Sequence, residues 1–407
     1  MTQYTVERLG HQGDGIVAGP LYVSGVLPGE VITGEVVKDR IVNPSIITPS
    51  EHRVKAPCSH ARSCGGCNLQ HASDEFVADF KKSVILQALK VRGIDTDIVA
   101  SDTSSANSRR RAVFSVRRTK KGAMAGFHVK ASDTVIPVPN CTILRPALKD
   151  AVPLLEELTV LGGSRKGEIR FTVTETRTGL DILAQGGKPA EGMFQAQLAQ
   201  IAARPGVARL TWDDELIATV EMPMVDFDGA LVTPPPGTFL QATEEGQNAL
   251  ISAVIDTIAG ANHVVDLFAG CGTFTLPAAR NAEVHAFEGE KVMIDSLLNG
   301  WRRAKGLKMV KADARDLFRR PLMPDELNRF DAIIIDPPRA GAEAQIIEIA
   351  KSTVETIAMV SCNPVSFARD AEILINAGYQ MKNLRMIDQF RWSSHVELVA
   401  DFTLISA

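Results

Sequence analysis

The chain has 407 residues, 45% apolar and 23% charged, with a formal net charge of −4. That is a globular composition long enough for two or three domains. Six cysteines are too few for a disulfide scaffold. The longest apolar runs, such as residues 332–335, fall far short of a membrane span, and no basic-then-apolar secretory pattern opens the chain. The expectation is a cytoplasmic protein with no membrane partner.

The first fifty residues read as short strands broken by glycine turns, at 4–8, 15–18, 21–23 and 31–37. A small β-barrel fits, a class that holds nucleic-acid binders and purely structural domains alike. Next come Cys58-x5-Cys64-x2-Cys67, with Cys141 far downstream, and in a reducing compartment such crowding suggests metal. Four thiolates suit zinc or an iron–sulfur cluster. Zinc usually takes two Cys-x2-Cys pairs where only one exists, yet His60 and His71 keep it open. The spacing of Phe76, Phe80, Val84, Ile85 and Leu89 predicts an amphipathic helix over 74–91, stopped by Gly93.

Charge is unevenly spread. Residues 1–130 carry 18 Lys/Arg against 12 Asp/Glu and the remainder 26 against 36, so the front is +6 and the back −10. Residues 103–130 hold eight basic residues and no acidic one, among them Arg109, Arg110, Arg111, Arg117, Arg118, Lys120 and Lys121. A polyanion is the natural partner, a solvated basic face the plain alternative. Residues 106–232 read as a mixed, β-rich region with strands at 112–117, 168–174 and 180–184, and Thr233-Pro-Pro-Pro-Gly237 marks a boundary. Beyond residue 249 the pattern turns to alternating helix and buried strand, the strands at 263–268, 283–287, 331–335 and 357–360. That rhythm predicts an α/β, doubly wound, mostly parallel sheet with ligands at the carboxyl ends of its strands.

Asp266-Leu-Phe268-Ala-Gly270-Cys-Gly272-Thr273 is a strand, a glycine turn and a helix start. It lacks the phosphate-loop ending, and no basic residue stands near to meet a diphosphate, so a ligand without phosphates fits better. Glu288, twenty-two residues past Asp266, suits the two ribose hydroxyls, and Asp313 the adenine amino group. Cys271, inside the turn, reads as a core filler rather than a nucleophile.

The next two strands run into Asp336-Pro-Pro-Arg339 and Ser361-Cys362-Asn363-Pro364. Methyltransferases of amino groups follow a similar Asp-Pro-Pro with an aromatic residue. Arg339 stands there instead, which argues against an exocyclic nitrogen target. Carbon 5 of a pyrimidine must be activated before it can take a methyl group: a thiolate adds to carbon 6, and a base later removes the carbon 5 proton. Cys362 suits the first role, with a thiol pKa lowered by the helix that Pro364 begins, and Glu397 in His395-Val-Glu397 suits the second.

With Phe239-Leu-Gln241, these motifs resemble in order those of the bacterial RNA uridine-5 methyltransferases, in particular the members acting on 23S ribosomal RNA. The resemblance implies a class I, Rossmann-like domain that binds S-adenosyl-L-methionine through Gln241, Phe268, Thr273, Glu288, Asp313 and Asp336. It implies Cys362 as nucleophile, Glu397 as base and Asp336 as a further catalytic residue orienting the uracil. It also implies a [4Fe-4S] cluster on Cys58, Cys64, Cys67 and Cys141, and a front barrel similar to the RNA-binding TRAM domain. Thr273 and Thr243 depart from the family, which usually has Asn at the first and often at the second; a threonine at 273 can still donate and accept a hydrogen bond. The expected organisation is a barrel over 1–52, a central iron–sulfur domain over 53–236 and a methyltransferase domain over 237–407. Residues 71–105 pack with the last of these, and Arg109 to Lys121 grip the RNA backbone. The expectation is a monomer. Transfer RNA as substrate, and a non-catalytic RNA-binding iron–sulfur protein, are the alternatives.

Overall fold

The structure is a computed structural model that describes residues 2–405. Five strands, Gln3–Leu9, Gly15–Val17, Leu21–Val23, Val31–Val37 and Arg40–Thr48, close into a barrel around Val6, Val17, Val23, Val26, Ile32 and Ile41. The four strands predicted from sequence are present. The fifth escapes the pattern because only Ile41 in it is buried, and Pro44 interrupts it. Gly15 is required where it stands, since a Cβ there would lie 2.4 Å from the Val26 side chain.

The barrel hands the chain to the cysteine loop through a buried ion pair. Glu30, fully buried, accepts hydrogen bonds from Leu27 N–H at 2.8 Å, Ser50 N–H at 3.2 Å and the Arg53 guanidinium. The predicted helix forms as Asp74–Val91, capped by Ser73, whose hydroxyl accepts from Phe76 N–H. Its Ile85 and Leu89 enter the core of the α/β part, while Val77 and Phe80 pack with Leu27 and Leu69.

The central part is a seven-stranded sheet in the order Glu215–Thr219, Val207–Trp212, Gly179–Gln185, Glu168–Thr176, Arg111–Arg118, Ala123–His128 and Val135–Ile136. Helices Val152–Gly162 and Gly192–Ala202 share its core, centred on Phe114, Phe171 and Trp212.

The α/β part is an eight-stranded sheet in the order Val310–Ala314, Glu283–Glu288, His263–Leu267, Ala332–Ile335, Thr356–Ser361, Glu397–Leu404, Tyr379–Asp388 and Ala100–Thr103. The first five run parallel and Glu397–Leu404 runs antiparallel between its neighbours. This is the doubly wound sheet expected from the buried apolar runs. Its last strand, Ala100–Thr103, is donated from the front of the chain and pairs parallel with Tyr379–Asp388. The hairpin Val225–Phe227/Ala230–Val232 precedes the proline run, yet packs with Cys271 and Leu276 of the α/β part. Among the described residues no helix is long and apolar enough to cross a membrane.

Candidate active site

The strand His263–Leu267 ends in a turn of unusual backbone. Phe268 (φ +64°), Gly270 (φ +56°) and Gly272 (φ +100°) all take left-handed conformations. A Cβ on Gly272 would sit 3.0 Å from Leu297. Glu288 ties the turn to the next strand: its carboxylate accepts from Gly270 N–H and from Glu290 N–H, each at 3.0 Å. Asp266 is fully buried; one carboxylate oxygen accepts from the Thr275 hydroxyl at 2.5 Å and the other has no partner. Burial, with Asp336 and Glu288 nearby, pushes Asp266 up to about 7. Cys271 is a buried core residue, as its sequence position suggested, its thiol pushed up to about 12.

The other expected cofactor residues are distributed around this turn. Gln241 is buried and accepts from Gln389 Nε2 at 2.6 Å. Phe268 packs its ring 5.3 Å from that of Phe318, and Thr273 is half-buried. Asp313 is exposed, with His285 Nε2 at 2.7 Å from its carboxylate. Gln389 was not singled out in the sequence, and nothing local marks it; only the fold sets it against Gln241.

Cys362, Asp336 and Glu397 meet at the carboxyl edge of the sheet. Ser361 pairs antiparallel with Leu398 at the end of the two strands, so Cys362 and Glu397 are the next residues at that edge of the sheet. Asp336 leaves the adjoining strand, and both carboxylates act electrostatically on the Cys362 thiol. Cys362 is half-buried rather than walled off. Burial first, then Glu397 and Asp336, push its thiol up to about 11, opposed by Arg339. This corrects the expectation of a lowered thiol pKa. Asn363 already caps the helix Pro364–Asn376 by accepting from Val365 N–H, and burial together with two carboxylates outweighs the helix end. Burial and Asp336 likewise raise Glu397 to about 8, and burial raises Asp336 to about 7.

Arg339 joins the two motifs. Its carbonyl accepts from Asn363 Nδ2 at 2.9 Å and from Ser366 Oγ at 3.1 Å, and its guanidinium donates to His395 Nδ1 at 3.2 Å. Cys362, Arg339 and His395 line a cleft of about 1610 Å³, whose other walls include Arg109, Arg8 of the barrel and Lys130.

The basic stretch is not one continuous grip. Arg109 lines the cleft over the Phe390 ring, but Arg110 is 3% exposed and bonds to the Gln241 carbonyl and to Gln247 at 2.6 Å. Arg111 donates to the Gly237 carbonyl, Arg117 pairs with Glu168, and Arg118 donates to the Gly163 carbonyl. Lys120 and Lys121 stand exposed at a hairpin turn. Arg110, Arg111, Arg117 and Arg118 thus spend their guanidinium groups on protein partners, which leaves Arg109 to the cleft and Lys120 and Lys121 to solvent.

Cys58, Cys64, Cys67 and Cys141 are free thiols. Among the described residues no three His, Cys, Asp or Glu side chains are gathered closely enough to hold a single metal ion. The four thiols nevertheless share one neighbourhood, and Cys67 is pushed up to about 11 by burial and by the other three. Backbone N–H groups of His60 and Gly66 point at the sulfurs of Cys58 and Cys64, both at 3.4 Å.

The strand order and the glycine turn are those of a class I methyltransferase. The family model for tRNA (uracil-5-)-methyltransferases matches residues 233–401. An RNA methyltransferase of Rhizobium meliloti is 41% identical over 405 residues, covering 97% of this chain and 98% of that protein. The 23S rRNA (uracil(1939)-C(5))-methyltransferase of Shewanella halifaxensis is 28% identical over 98% of this chain and 95% of its own. The chain belongs to the family of RNA (uracil-5-)-methyltransferases. In fold it is similar to the Pyrococcus abyssi tRNA (uracil-54, C5)-methyltransferase, solved with S-adenosyl-L-homocysteine; the TM-score is 0.78 at 20% identity over 99% of this chain and 100% of that one.

Proposed function

We propose that this enzyme methylates carbon 5 of a uridine in large-subunit ribosomal RNA, with Cys362 as nucleophile and Glu397 as base. The observation that carries the reading is that Cys362 lines an open cleft just past the Ser361–Leu398 pair, where the buried Glu397 and Asp336 carboxylates both act on its thiol. S-adenosylmethionine supplies a methyl group on a cationic sulfonium. Its charge suits a site where Asp266, Glu288, Asp336 and Glu397 cluster with no basic residue in the glycine turn. The unpartnered oxygen of Asp266 and the left-handed turn leave room for a ligand against the backbone. Gln241, Phe268, Thr273, Glu288, Asp313 and Asp336 are the residues that would hold it.

Cys362 loses its proton to solvent through the open cleft and forms a bond from sulfur to carbon 6, sending the ring's π electrons to carbon 5 and the O4 enolate. Once carbon 5 carries the methyl group, the Glu397 carboxylate removes its proton. The C–H electron pair restores the double bond and Cys362 leaves as thiolate. Asp336 orients the uracil. A uridine in a stem cannot reach Cys362, so the target lies in a loop or is extruded. Arg8, Arg109 and Lys130 of the cleft face its phosphates.

The four thiols are assigned a [4Fe-4S] cluster. The reading rests on the resemblance of their spacing to the family's and is supported by four mutually interacting thiols, two of them with N–H groups aimed at sulfur. No redox step is required of it.

The test is to supply methyl-labelled cofactor with 23S rRNA and with tRNA from a strain lacking the protein. Labelled 5-methyluridine is expected in 23S rRNA and none with Cys362→Ala. Label in tRNA alone would favour the second reading, which the fold likeness above supports, and label on any other base would sink both. The pH profile follows from the raised base: Glu397 must be ionised, and its pKa stands near 8. Thus kcat/KM is expected to climb as pH rises from 6 through about 8. A rate that is flat or falling over that range would exclude Glu397 as the base.

A further inference from the structure

The segment 390–394 links the strand Tyr379–Asp388 to His395 and Glu397. Apart from its own local turns, its hydrogen bonds come from residues 68–104 among the described residues. Lys81 donates to the Phe390 carbonyl at 3.1 Å. Arg391 reaches Asp74 at 2.6 Å and the Ser104 carbonyl at 3.1 Å, and Trp392 Nε1 donates to Asp74 at 3.0 Å. The tightest stitch falls beside the cysteines. Asn68 N–H and Leu69 N–H both donate to the Trp392 carbonyl, at 3.0 and 2.9 Å, and Asn68 Nδ2 donates to Ser394 Oγ at 3.3 Å and to the barrel carbonyl of Gln12 at 2.6 Å.

Trp392 is held in the left-handed region at φ +61° although it is bulky and 7% exposed. A tryptophan adopts that conformation only when its surroundings over-determine it. Here the surroundings are Asn68, Leu69 and Asp74, and Asn68 directly follows Cys67 in the chain. We infer that Asn68 is a positioning residue: by fastening the segment 392–394 to the cysteine loop and the barrel, it aims Glu397 at the carbon 5 proton and makes that step depend on the loop's integrity. The inference rests on Glu397 being the base. It also gives the distant cysteines a task that needs no electron transfer, because a loop closed on four fixed thiolates is a rigid anchor.

A loosened base slows the step after methyl transfer, which a general loss of stability would not single out. Asn68→Ala is expected to lower kcat about tenfold, leave KM for S-adenosylmethionine unchanged, and raise the fraction of enzyme caught as covalent RNA adduct at steady state. Ser394→Ala, which removes the side-chain acceptor, should act in the same direction. Amide hydrogen exchange over 390–397 should quicken in Asn68→Ala and in Cys67→Ser while the central sheet is unchanged. The purified full-length protein is used throughout, with Glu397→Gln run alongside. If Glu397→Gln accumulates adduct but Asn68→Ala shows wild-type adduct levels and wild-type exchange, the positioning role is wrong. If Glu397→Gln gives no adduct, it is the assignment of the base that falls.

Discussion

Glu397→Gln is expected to trap the enzyme on its RNA. The substitution leaves Cys362 free to add to carbon 6 and leaves methyl transfer intact, but nothing then takes the carbon 5 proton, so the sulfur cannot leave. Turnover should fall on the order of 10³-fold, within the range for loss of a general base, while a denaturation-resistant protein–RNA adduct builds up on gels. Glutamine is a mild replacement here. Glu397 is pushed up to about 8 by burial and by Asp336, so at pH 7 the resting side chain is mostly the neutral acid, which glutamine matches in shape and charge. The fold is therefore expected to keep its stability. Adding Cys362→Ala to Glu397→Gln should abolish the adduct; an adduct that persists would place the nucleophile elsewhere.

Lys81→Met should destabilise the protein by about 3–5 kcal/mol, the range for breaking one side of a buried ion pair. Lys81 and Asp388 are 0% and 1% exposed at their side chains and stand 2.6 Å apart, and Lys81 Nζ also donates to the Phe390 carbonyl. Methionine fills the space but abandons the Asp388 carboxylate in a dry setting. Urea unfolding would read the loss directly. Lys81→Met with Asp388→Asn should recover much of it, because no charge is then left unpaired. A loss below about 1 kcal/mol in the single variant would mean that water reaches the pair.

The sheet was legible in the sequence because its parallel strands are buried on both faces and read as unbroken apolar runs, as Ala332–Ile335 does. Ala100–Thr103 was not, since all four of its residues are exposed and its only claim to be a strand is a partner nearly three hundred residues later. The site residues were legible as motifs, but their ionisation was not. The helix start after Cys362 is a local signal, whereas the burial that chiefly raises its thiol, and the carboxylates that add to it from two other strands, exist only in the fold. Arg110 misled for the same reason: a run of cations looks like a surface until the fold buries one of them under Gln241 and Gln247. The turn at Trp392 had no glycine to announce it, and only its contacts with Asn68, Leu69 and Asp74 explain it.

The borrowed edge strand also fixes when this protein can mature. Ala100–Thr103 leaves the ribosome long before Tyr379–Asp388, which it must flank, and the helix bearing Lys81 emerges earlier still. Both must wait for nearly the whole chain, so assembly is late and slow, as pairing between remote segments dictates. Synthesised alone, the stretch 233–401 would present Tyr379–Asp388 as a bare margin with Asp388 unneutralised, an invitation to self-association. The front of the molecule thus covers that margin and neutralises Asp388 for the half that carries the site.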